Sequence, residues 1–413
     1  MIDLARGRRL IVAAAIAGFL LRLGFGLLYW VDKPMTHDER EYLALAASLS
    51  AGRGFVYDDR SEPGTTPRFG RAPAYPLFLA AIGAGGREYG SAPARVKIAQ
   101  AVLGALTVWL IGVIALRAAG PVAGAAAAAI AAVYPPLVWI GAYVLSETLY
   151  CTLAMATVAL LDRAVDRADS TSNGRAMRPW TLGAGALAGA AVLVRPAMLF
   201  FLPCAAVWLL VRRRPDAALI FVAAAAVVIM PWTIRNYRVY DRVVLVASEG
   251  GVTFWTGNHP LASGEGDLAA NPAIKRADLE FRQQHSGLTQ EELEPLYYRE
   301  ALTYITEHPG WWAGLLARKA FYTVVPIGPS YTLHSPKYLV TSVVSYALLL
   351  VLAVPGMRTL ARSRRRPAAL FALAASAVIV CLVFFPQERF RIPVIDPTLI
   401  VCAAAACAGL VRQ

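Results

Sequence analysis

Two adjacent acids, Asp38 and Glu39, lie in the sequence T-H-D-E-R at residues 36–40, directly after the first hydrophobic segment. Residues 10–30 are apolar enough to cross a bilayer, so the pair emerges at a membrane surface. A carboxylate at that position can serve as a general base at the lipid–water boundary. Both acids are therefore candidate catalytic residues.

Glu39 also has a structural interpretation, because Thr36 and Glu39 have the spacing of a capping box. In that motif Thr36 caps a helix and the Glu39 carboxylate accepts the backbone N–H of Thr36. The capping box does not need Asp38, which makes Asp38 the stronger candidate for a base.

Three arginines are candidates for binding an anionic group. Arg71 precedes the stretch A-P-A-Y-P, which contains Tyr75 as a further candidate substrate contact. Arg389 and Arg391 flank an aromatic residue in the turn P-Q-E-R-F-R-I-P. A guanidinium group can bind a phosphate through two N–H donors, or it can simply extend to the lipid headgroups. The sequence leaves both roles open.

Charged side chains within membrane spans are costly, and they are therefore functional candidates. We expect Arg22 to be a buried ion-pair partner. Glu147 should lie near the outer surface, where it can bind substrate or pair with an arginine such as Arg195. Arg235, at the outer end of a helix, and His259, in the following loop, complete the candidates. The outer loops lack the clustered spacing of a zinc site.

The composition is that of a polytopic membrane protein. Of the 413 residues, 57% are hydrophobic and only 16% are charged, which is too little polar surface for a soluble protein of this length. The apolar runs predict about ten transmembrane helices. They lie near 10–29, 97–116, 120–136, 138–161, 180–194, 197–211, 216–233, 338–355, 368–386 and 394–410.

The distribution of the net charge of +13 indicates the topology. With the N-terminus inside, the cytoplasmic segments hold 17 arginines against five acids, whereas basic and acidic residues balance in the two long outer loops. This is the pattern of the positive-inside rule, and it places both termini in the cytoplasm. The basic residues are thus topology signals, and nucleic acid is not an expected partner.

Three regions follow from this topology. They are an N-terminal transmembrane module, 1–233, which includes the first outer loop 30–96; an extracytoplasmic region, 234–337; and C-terminal transmembrane helices, 338–413. Residues 72–86 and 311–326 should lie along the outer face, the latter as an interfacial helix. The charged helical stretch 273–308 looks too small to bury a core alone and should dock on the membrane domain. The first span is expected to be a retained anchor.

The cysteines predict neither a disulfide framework nor a metal site. All five lie in predicted spans, where they are expected to pack as small buried residues. No cofactor and no metal ligand is predicted, and a requirement for a divalent metal ion is left open.

Five segments together resemble a known family. They are H-D-E-R-E-Y with the following G-x-G-F, R-A-P-A-Y-P-L-F, Y-P-P with S-E-T-L, R-N-Y with G-N-H-P, and R-F-R-I-P. In this order they resemble bacterial GT-C glycosyltransferases of the protein-mannosyltransferase and aminoarabinose-transferase type, over the whole chain. The resemblance implies an all-α GT-C fold, with amphipathic helices in the first outer loop and a large second outer loop.

The resemblance also implies roles for individual residues. Asp38 matches the acid of the first outer loop, the presumed general base, and Tyr42 matches the aromatic residue of the D-E-x-x-Y pattern. Arg71 takes the place of a basic residue that serves the donor phosphate. Gly70 stands where aminoarabinose transferases carry an acid, so the sugar preference does not carry over.

The implied function is inverting transfer of a sugar from a polyprenyl-phosphate-linked donor to a lipid, glycan or protein acceptor. The reaction would take place on the extracytoplasmic face of the bacterial inner membrane. Two alternatives remain: a lipid-linked polysaccharide ligase or polymerase, and a lipid or solute transporter. A transporter predicts charges at mid-membrane and repeat symmetry, whereas the charges here cluster at one face, which favours the enzyme.

Overall fold

The computed structural model describes residues 3–56, 70–85, 89–171, 174–266, 271–325, 335–363 and 366–410. These residues form helices, and no β-strand occurs among them. In chain order the helices are α1 (Leu4–Gly24), α2 (His37–Ser50), α3 (Ala74–Ala81), α4 (Ala94–Ala119), α5 (Pro121–Val133), α6 (Pro135–Trp139), α7 (Glu147–Thr171), α8 (Arg178–Val194), α9 (Phe201–Val211), α10 (Pro215–Tyr240), α11 (Gly250–Asn258), α12 (Pro272–Gln284), α13 (Gln290–Glu307), α14 (Pro309–Val324), α15 (Pro336–Ala361), α16 (Ala368–Val383), α17 (Glu388–Arg391) and α18 (Ile395–Leu410).

The structure supports an integral membrane protein, but it does not confirm ten crossings. Within the described ranges, five helices are long and apolar enough to span a membrane, or six if the bent pair α5 and α6 counts as one span. The five are Leu4–Tyr29, Ala94–Ala119, Glu147–Asp169, Pro215–Tyr240 and Pro336–Ala361. Every predicted range nevertheless contains a helix. Several of these helices are shorter than the ~20 residues that cross hydrocarbon unaided.

The prediction of a span over 138–161 is wrong at its start. The chain first makes the short helix α6 and a turn at 140–142, and α7 begins only at Glu147. Two consecutive prolines, Pro135 and Pro136, separate α5 from α6, since proline cannot donate a backbone hydrogen bond. Residues 143–146, between the turn at 140–142 and α7, are irregular and lie at the edge of the candidate active site.

The expected ion pair of Arg22 is not what the structure shows. Its guanidinium group donates to the backbone carbonyls of Ala131 and Ala132, both at 3.0 Å. In a continuous helix these carbonyls would accept N–H groups from residues 135 and 136, but both are prolines. Arg22 thus supplies the donors that the two prolines lack. Gly104 leaves room for it, because a Cβ there would lie 2.6 Å from the Arg22 Cδ.

Residues 250–324 bury a small core of their own, but the stretch 273–308 does not do so alone, because the helices on both sides of it contribute. Helices α11 to α14 bury Trp255, Phe281, Leu293, Tyr297 and Leu315 against one another. The region also docks on the membrane domain, at the ends of α11 and α16. Helix α14 covers most of the predicted interfacial helix 311–326, and α10 continues seven residues beyond the expected boundary at 233.

Helix α3 lies deeper than a helix along the outer face would. Tyr75 and Leu79 are completely buried and belong to the main core of the membrane domain. Burying these two large side chains contributes about 1.5–3 kcal/mol each. This packing holds the stretch after Arg71 rigidly beneath α2.

Candidate active site

The first turn of α2 is fixed by the predicted capping box. The Thr36 N–H donates to Glu39 Oε2 at 2.7 Å, and the Glu39 N–H donates to Thr36 Oγ1 at 3.4 Å. The other oxygen of Glu39 accepts the N–H of Val144 at 2.8 Å. Glu39 is buried, and both of its oxygens are used in anchoring α2 to segment 143–146. This arrangement leaves Asp38 as the acid that faces the site.

The Asp38 carboxylate lies between two arginines. Its Oδ1 is 3.1 Å from Arg71 Nη2, and its Oδ2 is 2.7 Å from Arg389 Nη1. Burial disfavours the ionised form, but the charges and hydrogen bonds of the two arginines outweigh it and lower the pKa of Asp38 below its ordinary range. In this state Asp38 is ionised and weakly basic.

Arg71 is shared by three carboxylates. Besides Asp38 it contacts Glu41, and its Nε lies 3.4 Å from Glu249 Oε1. The guanidinium carbon lies 5.1 Å from the ring centre of Tyr42, within cation–π range. The side chain of Arg71 is only 14% exposed. Buried opposite charges of this kind raise the pKa of Arg71 above its ordinary value even though burial opposes them.

A backbone contact between the segment before α3 and the segment before α11 places Glu249 beside Arg71. The Ser248 N–H donates to the Gly70 carbonyl at 2.8 Å. A Cβ at Gly70 would overlap the Ser248 side chain and lie 3.0 Å from its backbone nitrogen. Only glycine allows this approach, which accounts for Gly70 at the position next to Arg71.

Sequence reasoning missed Glu41 and Glu249. Glu41 could have been found, because Asp38, Glu41 and Tyr42 have the spacing i, i+3, i+4 that puts them on one face of a helix. Glu249 carries no local signal. Burial raises its pKa, the charges of Glu41 and Asp38 act in the same direction, and Arg71 opposes them.

Tyr42 and Tyr75 form two layers beneath Arg71. Their rings meet edge to face with centres 4.9 Å apart. Tyr42 contacts the arginine, whereas Tyr75 is fully buried behind it, with its hydroxyl 3.4 Å from Gln100 Oε1. Tyr75 therefore supports the site from below and does not lie on its surface.

Glu147 and Arg195 form an ion pair next to the site. Glu147 Oε1 lies 2.5 Å from Arg195 Nη1, and only 1% of the Glu147 side chain is exposed. Arg195 lies over the Phe390 ring at 5.0 Å, and Phe390 follows Arg389 in α17. The pair thus joins α7 and α8 to the turn that carries Arg389.

Arg391 points away from Asp38, although it lies two residues after Arg389. Its Nε is 2.9 Å from Asp396, and its guanidinium carbon is 3.5 Å from the ring centre of Tyr346. Asp396 is completely buried and also accepts the Tyr134 hydroxyl at 3.0 Å. Residues two apart in a helix lie on different faces, so Arg391 anchors the turn while Arg389 reaches the site.

Arg235 and His259 lie outside the cluster around Asp38. Arg235 packs over Trp232 at 4.7 Å and donates to the Tyr240 hydroxyl. His259 follows α11 at the end opposite Glu249, and a nine-residue helix is about 14 Å long. Its Nδ1 accepts the N–H of Leu261, and its ring packs at a tilt against Trp255, with ring centres 4.3 Å apart. The structure gives both residues local partners.

Part of the chain matches a known protein family. Residues 74–234, less than half of the chain, match the family model described as dolichyl-phosphate-mannose-protein mannosyltransferase. A search of curated proteins found no match.

Two structures of archaeal oligosaccharyltransferases from Archaeoglobus fulgidus resemble the whole chain in fold. The form tethered with an acceptor peptide has a TM-score of 0.61 and 15% identity, covering 99% of this chain and 50% of that chain. The form called AglB, in complex with an inhibitory peptide and a dolichol-phosphate, has a TM-score of 0.57 and 14% identity, covering 97% and 50%. The chain has the GT-C fold.

The predicted fold is thereby confirmed. This chain spans about half the length of the archaeal oligosaccharyltransferase. ArnT from Cupriavidus metallidurans bound to undecaprenyl phosphate also matches, with a TM-score of 0.45, 14% identity, and coverage of 97% of this chain and 77% of that chain. The fold assignment rests on the two archaeal structures.

Proposed function

We propose that this GT-C protein transfers a sugar from a polyprenyl-phosphate-linked donor to an acceptor, with inversion, at the extracytoplasmic face of a bacterial inner membrane. The single observation that carries the proposal is the Asp38 carboxylate held between Arg71 and Arg389. The family model and the dolichol-phosphate in one archaeal structure support a lipid-phosphate donor.

The two arginines supply the charge that a phosphate leaving group needs. As the bond between the sugar and the phosphate breaks, negative charge develops on the phosphate oxygens. Guanidinium groups stabilise this charge through strong N–H donors, and they act most effectively where water is excluded. Arg71 is almost fully enclosed and Arg389 is 36% exposed, so the donor phosphate would enter from the side of Arg389.

Donor binding would also change Asp38. A phosphate bound to the arginines competes with the carboxylate for the same N–H groups. Once released from them and placed beside a second negative charge, Asp38 has a higher pKa. It then becomes a better general base for the acceptor, so binding of the donor prepares the catalytic group.

The displacement needs one base and proceeds in one step. The acceptor hydroxyl attacks the anomeric carbon, its proton passes to Asp38, and the phosphate leaves towards the arginines. A single displacement inverts the configuration and needs no carboxylate nucleophile. Glu39 is assigned to anchoring α2, and Glu147 and Arg195 to holding α17 in place.

A lipid-linked polysaccharide ligase or polymerase is the second candidate. The similarity to an oligosaccharyltransferase favours it, since an oligosaccharide donor places the same demands on the phosphate site. The two candidates differ in the size of the transferred glycan, which a transfer assay reads directly.

The proposal is tested by transfer assays in membranes with labelled polyprenyl-phosphate sugars. We expect Asp38→Asn to reduce kcat by at least about 10²-fold, in the range of lost general-base catalysis. Asp32→Asn is the matched control, because Asp32 lies exposed in the same loop and the substitution is the same. Normal turnover by folded Asp38→Asn protein would refute the role of Asp38. Transfer by wild type of oligosaccharides but not of single sugars would favour the ligase.

A further inference from the structure

Lys319, in α14, is a buried cation outside the site just described. The side chain has no exposed surface. Its Nζ donates to Asn258 Oδ1 at 3.0 Å and to the Leu382 carbonyl at 3.1 Å, with the Val383 carbonyl at 3.5 Å. None of the ion pairs among the described residues involves Lys319, so neutral oxygens alone hold its ammonium group.

These oxygens come from the ends of two helices. Leu382 and Val383 end α16, where the last carbonyls have no intrahelical donor. Asn258 ends α11, and its Nδ2 donates to the Val383 carbonyl at 2.9 Å. Lys319 and Asn258 together therefore cap α16 and hold the end of α11 against it.

The two helix ends touch through backbone as well. A Cβ at Gly257 would overlap the Phe384 carbonyl, so glycine permits direct contact there. Phe254 packs edge to face on Phe384 with ring centres 6.2 Å apart. The Gly266 N–H donates to the Pro386 carbonyl at 3.3 Å, which extends the contact towards α17.

Both helices lead from this junction to the arginine–carboxylate cluster. Helix α11 begins directly after Glu249, which contacts Arg71. The chain after α16 reaches Arg389 within six residues of Val383, and Arg389 contacts Asp38. One buried ammonium group thus joins the two segments that bring Glu249 and Arg389 to the site.

We propose that Lys319 is a positioning residue, which through Asn258 and the end of α16 sets the separation of Arg389 from Arg71. The inference rests on the proposed function, because it assigns the two arginines to one phosphate. An uncharged side chain of similar length fills the same space but cannot hold the two helix ends together.

The test compares Lys319→Met with Arg318→Met in the purified full-length protein. Arg318 is the exposed neighbour on the same helix, so its variant removes the same charge from α14 without touching the junction. For Lys319→Met we expect hydrogen exchange to quicken at 249–258 and 383–391, with α7 and α8 unchanged. The donor KM should rise at least about fivefold, because misplaced arginines weaken donor binding. Arg318→Met should resemble wild type in both measurements.

A merely structural lysine gives a different result. Loss of folded protein lowers the maximal rate but leaves the donor KM unchanged, and this outcome would overturn the inference. Unchanged or uniformly faster exchange would also overturn it. If Lys319→Met does not fold, Gly257→Ala perturbs the same junction from α11. It must then give both the faster hydrogen exchange at 249–258 and 383–391 and the raised donor KM. Should wild type transfer no sugar, the proposed function fails, while the exchange data still test the junction.

Discussion

Arg389 Nη1 lies 2.7 Å from Asp38 Oδ2, although 351 positions separate the two residues in the chain. The contact joins α2 to the turn between α16 and α18. If the arginine serves the donor phosphate, Arg389→Ala should reduce kcat/KM for the donor by about 10²-fold, as loss of one transition-state donor does. Transfer assays with varied donor measure this.

Arg389→Lys is expected to recover only part of that loss, because an ammonium group cannot reproduce the planar fork of a guanidinium. Arg53→Ala is the control, since Arg53 is exposed in the first outer loop. Equal loss in the control, or none in Arg389→Ala, would contradict the assignment.

Glu249→Gln and Arg71→Ala should change the donor KM in opposite directions. The Glu249 carboxylate contacts Arg71. If Arg71 binds the donor phosphate, this carboxylate would compete with the phosphate and add a negative charge nearby. Removing that charge while keeping the shape should lower the donor KM by about threefold, an effect of less than 1 kcal/mol. Arg71→Ala should raise the donor KM. A rise in KM for both variants would show that Glu249 positions Arg71 more than it competes for it.

Gly70→Ala should abolish most transfer while leaving the membrane domain folded. The added methyl group would overlap Ser248 and displace the backbone at residue 70, which moves the adjacent Arg71 away from Asp38. Gly90→Ala is the matched control, because a Cβ there meets no atom within 4 Å.

Ser248→Gly tests the cause of the Gly70→Ala defect. It removes the side chain that the new methyl group overlaps, and it should restore part of the activity in the double variant. Failure of this rescue would point to another cause for the defect.

Glu294→Gln should remove a pH dependence of stability. Burial raises the pKa of Glu294 to about 7, although N–H groups at the start of α11 oppose the shift. The folded protein therefore binds this proton more tightly than the unfolded chain. The resulting stabilisation is full below about pH 4 and is lost as the pH rises through 7.

The free energy of unfolding of Glu294→Gln, relative to that of wild type, should thus rise by on the order of 1–2 kcal/mol between pH 5 and pH 8, after allowance for solvent screening. Thermal unfolding in detergent measures the change. Glu300 is an exposed position on the same helix, so Glu300→Gln should show the same pH dependence of stability as wild type. The prediction would be refuted if Glu294→Gln also showed the same pH dependence of stability as wild type.

The sequence by itself determined the features that depend on short stretches of chain. Apolar runs located a helix in each predicted membrane range, because hydrophobic length is a local property. The capping box of Thr36 and Glu39 was predicted and is present, since its partners are three residues apart. The spacing of Glu41 from Asp38 was also local, and it was overlooked.

The tertiary structure alone decided which distant residues meet. Pro135 and Pro136 were visible in the sequence, but the donor that compensates for them, Arg22, comes from another helix. Arg389 and Arg391 were equivalent candidates until the packing of α17 turned one towards Asp38 and the other towards Asp396. Glu249 reaches Arg71 because Gly70 and Ser248 approach closely across two loops. Such contacts depend on the packing of whole helices, which no local pattern encodes.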